Sequence, residues 1–414
     1  MSRRWVVVAL LFAGMLVSYV DRGNLSIAAG AMMRDFRLTP VVMGMLLSAF
    51  FWTYGAFQLP AGALVDRIGS RRVYAAAFLL WSLASASIAL TRGSTDVLIL
   101  RLLLGLAESV GPVASLAFIR QNFAGPEQGL PTSIYIAAQN MGPALGTFLG
   151  TILIESLGWR FMFAATGLGA LVWLPLWLFF APKDAPRVAA PARAEAPPAP
   201  PIAWRELVAG RGFWAMSLAI FMSSYFWYFL LTWVPTYLTA ARGFSNLDMG
   251  RVLSAALFIM AVLNVGSGFV ADRLAKRTGA VFKVRLTFAA VAYTCASSLL
   301  LLLVLPGQGA VFPVLVVSIC TVGIGNSNYW AIAQHIPPAR LAGRTIGYLN
   351  TLSQIAGAAA PLVTGWILGP TRQFALALAI AGACPVFAAL LLLLGGTGGL
   401  AASKRVMEKD APAV

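Results

Sequence analysis

Four charged side chains sit where the sequence is otherwise apolar: Asp21, Arg22, Arg101 and Glu108. A charge at the centre of a lipid bilayer costs at least about 2.5 kcal/mol on insertion scales, so charges kept there mark ion or substrate pathways. Arg101 and Glu108 are seven residues apart. That is two helical turns, so both fall on one helix face. Asp21 and Arg22 are neighbours, about 100° apart around a helix. One can face a cavity while the other faces an adjacent helix, and the set permits an Asp21–Arg101 or an Arg22–Glu108 pairing. Two purely structural ion pairs would give the same pattern, but a buried pair is weak evidence for stability. A planar guanidinium matches a carboxylate, which makes Arg22 the first candidate to grip an anionic substrate. A carboxyl group taken out of water is more easily neutral. Asp21 and Glu108 are therefore candidates to load a proton at one membrane face and release it at the other. Arg101 would bias whichever acid it meets and add to the anion site. No charge falls well inside a span of the second half of the chain.

The elements that position these residues are membrane helices. Of 414 residues, 59% are hydrophobic and 11% charged, against about 25% charged in soluble domains. Several apolar runs, including 97–119, 161–181, 213–234 and 374–396, reach the roughly 18 residues of a bilayer crossing. The pattern predicts an all-α membrane protein of twelve spans: 5–32, 42–65, 73–90, 97–120, 132–155, 160–181, 213–238, 249–271, 283–305, 312–333, 345–368 and 374–396. The N-terminal Arg3-Arg4 and apolar run resemble a signal peptide, yet they run on into Asp21 and Arg22 with no clean cleavage site, so they read as the first span.

Residues 182–211, rich in Pro and Ala, bury too little apolar surface to fold and read as a linker. They separate a six-helix bundle over 1–181 from a second over 212–414, which ends in a short tail. The net charge of +16 fits orientation rather than nucleic-acid binding. With both termini placed in the cytoplasm, Lys and Arg in cytoplasmic segments outnumber those in periplasmic loops about threefold, as the positive-inside rule requires. The halves also repeat. Gly62, Asp66, Arg67, Gly69, Arg71 and Arg72 follow the second span, and Gly268, Asp272, Arg273, Lys276 and Arg277 follow the eighth. Gly62 to Gly268 and Asp66 to Asp272 are both 206 apart. A parallel repeat of six spans places a substrate site between the halves near the midplane.

This loop motif resembles the signature of the major facilitator superfamily, and its second copy the weaker repeat. The resemblance covers the whole chain. It implies two bundles rocking about a central cavity, function as a monomer, and a cytoplasmic gate built from Gly62, Asp66, Arg67, Gly69, Arg71, Asp272 and Arg273. Asp66 near a helix end can pair with an arginine or a helix N-terminus, and the glycines flanking it suggest close packing. A narrower resemblance is to the anion:cation symporter family. It rests on Ser18-Tyr19-Val20-Asp21-Arg22-Gly23-Asn24-Leu25-Ser26, on Phe50 to Gly62, on Arg101-Leu-Leu-Leu-Gly105-Leu-Ala-Glu108 and on Leu231-Thr-Trp233-Val-Pro235-Thr-Tyr237-Leu238. Bacterial members of that family import hexuronates, glucarate and galactonate. The resemblance implies proton coupling by the acids of the first and fourth spans, substrate binding by the arginine of the first, and a place in the bacterial inner membrane.

Other polar residues could line the cavity. Tyr54, Gln58, Gln139 and Asn140 belong to the first half, with Tyr54 and Gln139 matching family positions. Tyr225, Tyr228, Asn326, Asn328, Asn350 and Gln354 belong to the second. Each alone could be an interhelical hydrogen bond. Trp227 and Trp233 read as packing or interface anchors. His335, the single histidine, and Cys295, Cys320 and Cys384 carry no metal or disulfide spacing. No catalytic triad, metal cluster or phosphate loop appears, so an enzyme is not expected, and the proton is the expected coupling ion with no cofactor. The expected function is proton-coupled import of a sugar acid, with an aromatic or short-chain carboxylate as the variant substrate. Two rivals remain. Gly142-Pro143-Ala-Leu-Gly146 partly matches the antiporter motif of proton-driven exporters, though two arginines suit an anion better than a lipophilic cation. A receptor or channel would not need the repeated gate motif.

Overall fold

Proline and glycine set the helix boundaries. The computed structural model describes residues 3–123, 127–182, 208–305, 307–335, 339–371 and 373–409. Most of the expected linker, 183–207, lies outside them, as do the side chains of Asn140 and His335. The described residues form helices without strands: α1 (Arg3–Asp35), α2 (Pro40–Ile68), α3 (Ser70–Ser87), α4 (Ser94–Glu108), α5 (Val110–Asn122), α6 (Gly129–Ala170), α7 (Trp173–Phe180), α8 (Arg211–Thr232), α9 (Val234–Ala240), α10 (Asn246–Thr278), α11 (Val281–Ala296), α12 (Val311–His335), α13 (Ala339–Thr371) and α14 (Phe374–Lys409). Helices satisfy every backbone group internally, which lipid demands. Among the described residues, eleven stretches are long and apolar enough to cross a bilayer.

Four expected spans differ in form. The fourth is two helices meeting at Ser109. Pro112 has no N–H to offer the carbonyl four residues back, that of Glu108, so the ladder breaks there. The fifth and sixth spans run together through α6 and α7 as a stretch of 51 residues, about 75 Å at the helical rise. Gly158, at φ 81°, interrupts it. The seventh breaks at Trp233, two residues before Pro235. At the start of α2, Thr39 accepts from the Val42 amide with Pro40 in the first turn. Gly69, at φ 105°, makes the sharp turn into α3.

Two compact units emerge, and they do not follow chain order. The first holds Met1–Asp184, Tyr228–Ala261 and Gly357–Ala377, and the second holds Ala185–Trp227, Val262–Ala356 and Leu378–Val414. In the first, α3 and α6–α7 meet through stacked aromatics: Phe78 on Trp173 at 4.0 Å and Trp173 on Trp177 at 5.0 Å between centroids. Trp173 Nε1 donates to the Leu10 carbonyl at 2.7 Å, tying α1 to this wall. The same unit takes in the end of α8 with α9, and Trp233 between them donates through Nε1 to the Pro361 carbonyl of α13 at 3.0 Å. In the second unit, Tyr329 donates to the Met216 carbonyl at 2.9 Å.

Candidate functional site

The site is built on α1. Two glycines of α6, one turn apart, lie against the α1 backbone. A Cβ on Gly142 would fall 2.5 Å from Tyr19 Cβ, and one on Gly146 would fall 2.9 Å from Val20 Cα. Only glycine permits this approach, and it fixes the turn that carries Asp21 and Arg22. On another side, α4 presses on α2 through Gly105, whose added Cβ would sit 2.2 Å from the Phe50 carbonyl oxygen. The Gly142–Gly146 pair that resembled an exporter motif therefore has a packing role behind the charged turn.

Arg22 and Glu108 form the ion pair, with Nε to Oε2 at 2.9 Å. Ser18, one turn before Arg22, donates to the same Oε2 at 2.6 Å. Glu108 is 1% exposed and the Arg22 side chain 12%. Three rings surround the guanidinium, whose carbon lies 4.4 Å from the Tyr54 centroid, 4.7 Å from Tyr19 and 4.9 Å from Phe50. Phe50 and Tyr54, one turn apart on α2, are themselves stacked at 5.2 Å. Rings attract a guanidinium through their faces and leave its N–H edge for acceptors. Arg22 NH2 lies buried with no hydrogen-bond partner, an arrangement that costs free energy unless a ligand meets it.

Asp21 faces elsewhere. It is 1% exposed. Its Oδ1 accepts from Ser85 of α3 at 3.0 Å and, at 3.4 Å, from Asn24, whose amide also donates to Thr166 of α6 at 3.0 Å. The expected divergence of two adjacent residues is thus realised. Asp21 points into the seam of α1, α3 and α6, and Arg22 toward α2 and α4. The alternative Asp21–Arg101 pair does not form. Arg101 is 2% exposed, lies 5.1 Å over the Phe50 ring, and leaves Nε and NH1 without hydrogen-bond partners.

The remaining candidates scatter. Gln139 is half-buried on α6. Tyr228 packs edge-on against Phe51 at 4.7 Å, within the unit that holds Arg22. In the second unit, Asn326 accepts from Tyr293 at 2.8 Å. Asn328 is fully buried and accepts from Arg285 at 3.2 Å. Arg285 also pairs with Asp272, so Asn328 is linked through Arg285 to the second loop motif. Asp66 and Arg67 are exposed at the end of α2, and Arg273 is exposed on α10. Arg71 donates to the Leu178 carbonyl at the end of α7. The close packing expected of both flanking glycines fails at Gly62, where a Cβ would meet only Val113 Cγ1 at 3.8 Å. Gly69 is required instead for its backbone turn.

Sequence reasoning missed Ser18, Ser85, Asn24, Phe50 and Arg285 as parts of these groups. Ser18 and Phe50 each lie one turn from a recognised residue, a usable signal. Ser85 and Arg285 carry none.

A family description supplies the context. The profile of the Major Facilitator Superfamily matches residues 11–361. The chain belongs to this superfamily. It is 29% identical to the probable galactarate/D-glucarate transporter GudP of Bacillus subtilis, over 99% of this chain and 96% of that protein. It is also 29% identical to the hexuronate transporter of Bacillus subtilis, over 94% and 93%. Among solved structures, the fold matches a bacterial homologue of the human lysosomal transporter Spinster, inward-facing and unoccupied, with TM-score 0.77 over the full length of both chains at 16% identity. As a member of the superfamily, the protein is a multi-pass membrane transporter and not an enzyme.

Proposed function

We propose that this transporter imports a sugar-acid anion together with protons, as a monomer in the bacterial inner membrane, by alternating access. The observation that carries the reading is Arg22. Its positive charge is held flat among three rings, its Nε is on Glu108, and its NH2 is buried without a partner. That free edge suits a substrate carboxylate, and the aromatic walls suit the C–H faces of a sugar acid. The named substrates of the similar proteins, galactarate, D-glucarate and hexuronates, support the class. Arg101 adds positive field to the same bundle. Tyr54, Gln139 and Tyr228, all in the unit that holds Arg22, are the polar groups proposed to read substrate hydroxyls. Glu108 and Asp21 are the proposed proton carriers. Protonation of Glu108 removes the charge that holds Arg22, so proton and anion binding are linked at one side chain. Asp66, Arg67, Gly69 and Arg71 of the first unit are assigned to cytoplasmic gating, and in the second unit the repeat of that motif, Asp272 and Arg273 with Arg285 and Asn328, is assigned the same role. Twelve crossings with both termini cytoplasmic follow if the 51-residue stretch folds back at Gly158, in keeping with the distribution of Lys and Arg.

The test is reconstitution in liposomes with a pH-sensitive dye inside. Sugar acids, aromatic acids and short monocarboxylates are added in turn under an imposed pH gradient. Proton entry that depends on a sugar acid, and is lost in Arg22→Ala and Glu108→Gln, supports the proposal. Proton movement with no anion dependence, or a cationic dye moving against the proton flow, overturns it.

A further inference from the structure

The two buried acids share a feature that the substrate site does not explain. Each has one oxygen filled by donors and the other left bare. Asp21 Oδ1 accepts from Ser85 and Asn24 while Oδ2 is buried without a partner. Glu108 Oε2 accepts from Ser18 and Arg22 while Oε1 is buried without a partner. Both serines are themselves buried. A hydroxyl that donates into a carboxylate fixes the rotation of that group, since the bond is charge-assisted and directional. A buried carboxylate oxygen with no donor carries charge that nothing solvates, and a proton on that oxygen removes the charge.

We propose that Ser85 and Ser18 are positioning residues for proton coupling: each occupies one oxygen of a buried carboxyl group and so leaves Asp21 Oδ2 or Glu108 Oε1 as the atom that takes the proton. This rests on the proposed function above. An O–H bond forms at the bare oxygen when a proton arrives from water and breaks when the proton returns to water; no other bond changes. The charged groups acting on Asp21 are Glu108 and Arg101, and those on Glu108 are Arg22 and Arg101. All lie on α1 or α4. The serines differ in place. Ser18 shares the helix of Arg22, whereas Ser85 comes from α3 and touches nothing of the anion site, so Ser85 separates coupling from substrate binding most cleanly.

The experiment compares two fluxes of one sugar acid in proteoliposomes: uptake driven by a proton gradient, and counterflow exchange with no gradient. Net driven uptake needs the proton to be released, whereas exchange needs only substrate binding and reorientation. For Ser85→Ala, driven uptake is expected to fall about tenfold relative to exchange, the scale of one lost charge-assisted hydrogen bond. Ser18→Ala should move the ratio in the same direction, and Ser85→Thr and Ser18→Thr, which keep the hydroxyl, should restore it. A ratio unchanged in the alanine variants overturns the proposal, whether both fluxes persist or both fall. If the unsubstituted protein exchanges substrate but admits no protons with it, the proton-coupled reading itself has failed, an outcome distinct from the first.

Discussion

Replacing Arg22 by lysine keeps the positive charge and removes the planar fork. The guanidinium lies 4.4 to 4.9 Å from three ring centroids and donates through Nε to Glu108 at 2.9 Å. An ammonium can still pair with Glu108, but it is a compact point charge with no second edge held in register. The substrate carboxylate then loses one of its charge-assisted hydrogen bonds, worth about 1.5–3 kcal/mol. At 1.4 kcal/mol per decade this is about a 10- to 150-fold rise in the half-saturation concentration. The maximal exchange rate should fall far less, because the charge balance of the bundle is kept. Counterflow of a labelled sugar acid in proteoliposomes measures both quantities. A half-saturation within twofold of the unsubstituted protein would refute the assignment of the anion to Arg22.

Three further outcomes follow from the geometry. Glu108→Gln cannot release a proton, so anion-dependent acidification of the liposome lumen should vanish while exchange is still measurable; acidification at the original rate would contradict the role of Glu108. Gly105→Ala places a methyl 2.2 Å from the Phe50 carbonyl oxygen and 2.4 Å from Thr53 Oγ1, overpacking that costs about 1–3 kcal/mol. It should lower the apparent melting temperature in detergent by several degrees, and an unshifted melt would exclude the close approach of α2 and α4. Ser26 donates to the carbonyls of Leu231 at 2.6 Å and Thr232 at 2.9 Å. Pro235 has no N–H for the Leu231 carbonyl, so Ser26→Ala orphans it at about 1–3 kcal/mol. Faster amide exchange over 233–240 is the expected result, and unchanged protection would count against the contact.

The charges were legible from sequence because lipid makes any charge conspicuous. Asp21, Arg22, Arg101 and Glu108 stand out against apolar runs, and helical geometry permits two pairings, of which the structure contains Arg22–Glu108. The hydroxyls were not legible. Serine is common in membrane helices, and Ser85 lies 64 residues from Asp21, so only the packing of α1 on α3 joins them. Ring placement was hidden for the same reason: Phe50 looks like any apolar residue until Gly105 draws α4 onto α2. Some signals were present and underused. Pro112 stands four residues after Glu108, and Pro235 four after Leu231, which marks both helix breaks. Gly158, by contrast, resembles the many other glycines of the chain, and only its positive φ separates α6 into two directions. An amide inside a span reads equally as a cavity wall or as a partner, and only the fold brings Asn328 to Arg285, near the start of the ninth expected span.

The two acids divide the proposed work according to what they touch. Glu108 holds the Nε side of the Arg22 guanidinium, and a substrate carboxylate draws on the remaining N–H donors of the same cation. Substrate and ionised Glu108 therefore compete for one cation, and a proton on Glu108 settles the competition in favour of the substrate. Asp21 cannot act in this way, since it pairs with no cation within 4 Å among the described residues and accepts instead from Ser85 of α3 and from Asn24 of its own helix, whose amide also donates to Thr166 of α6. What its charge acts on is the seam of three helices. An ionised Asp21 needs its Ser85 and Asn24 donors more than a neutral one does, because charge-assisted hydrogen bonds are roughly twice as strong as neutral ones. Protonation there weakens the Ser85 bond and so loosens the hold of α1 on α3. On this reading, Glu108 governs whether substrate is held, and Asp21 governs whether the helix that holds it can shift.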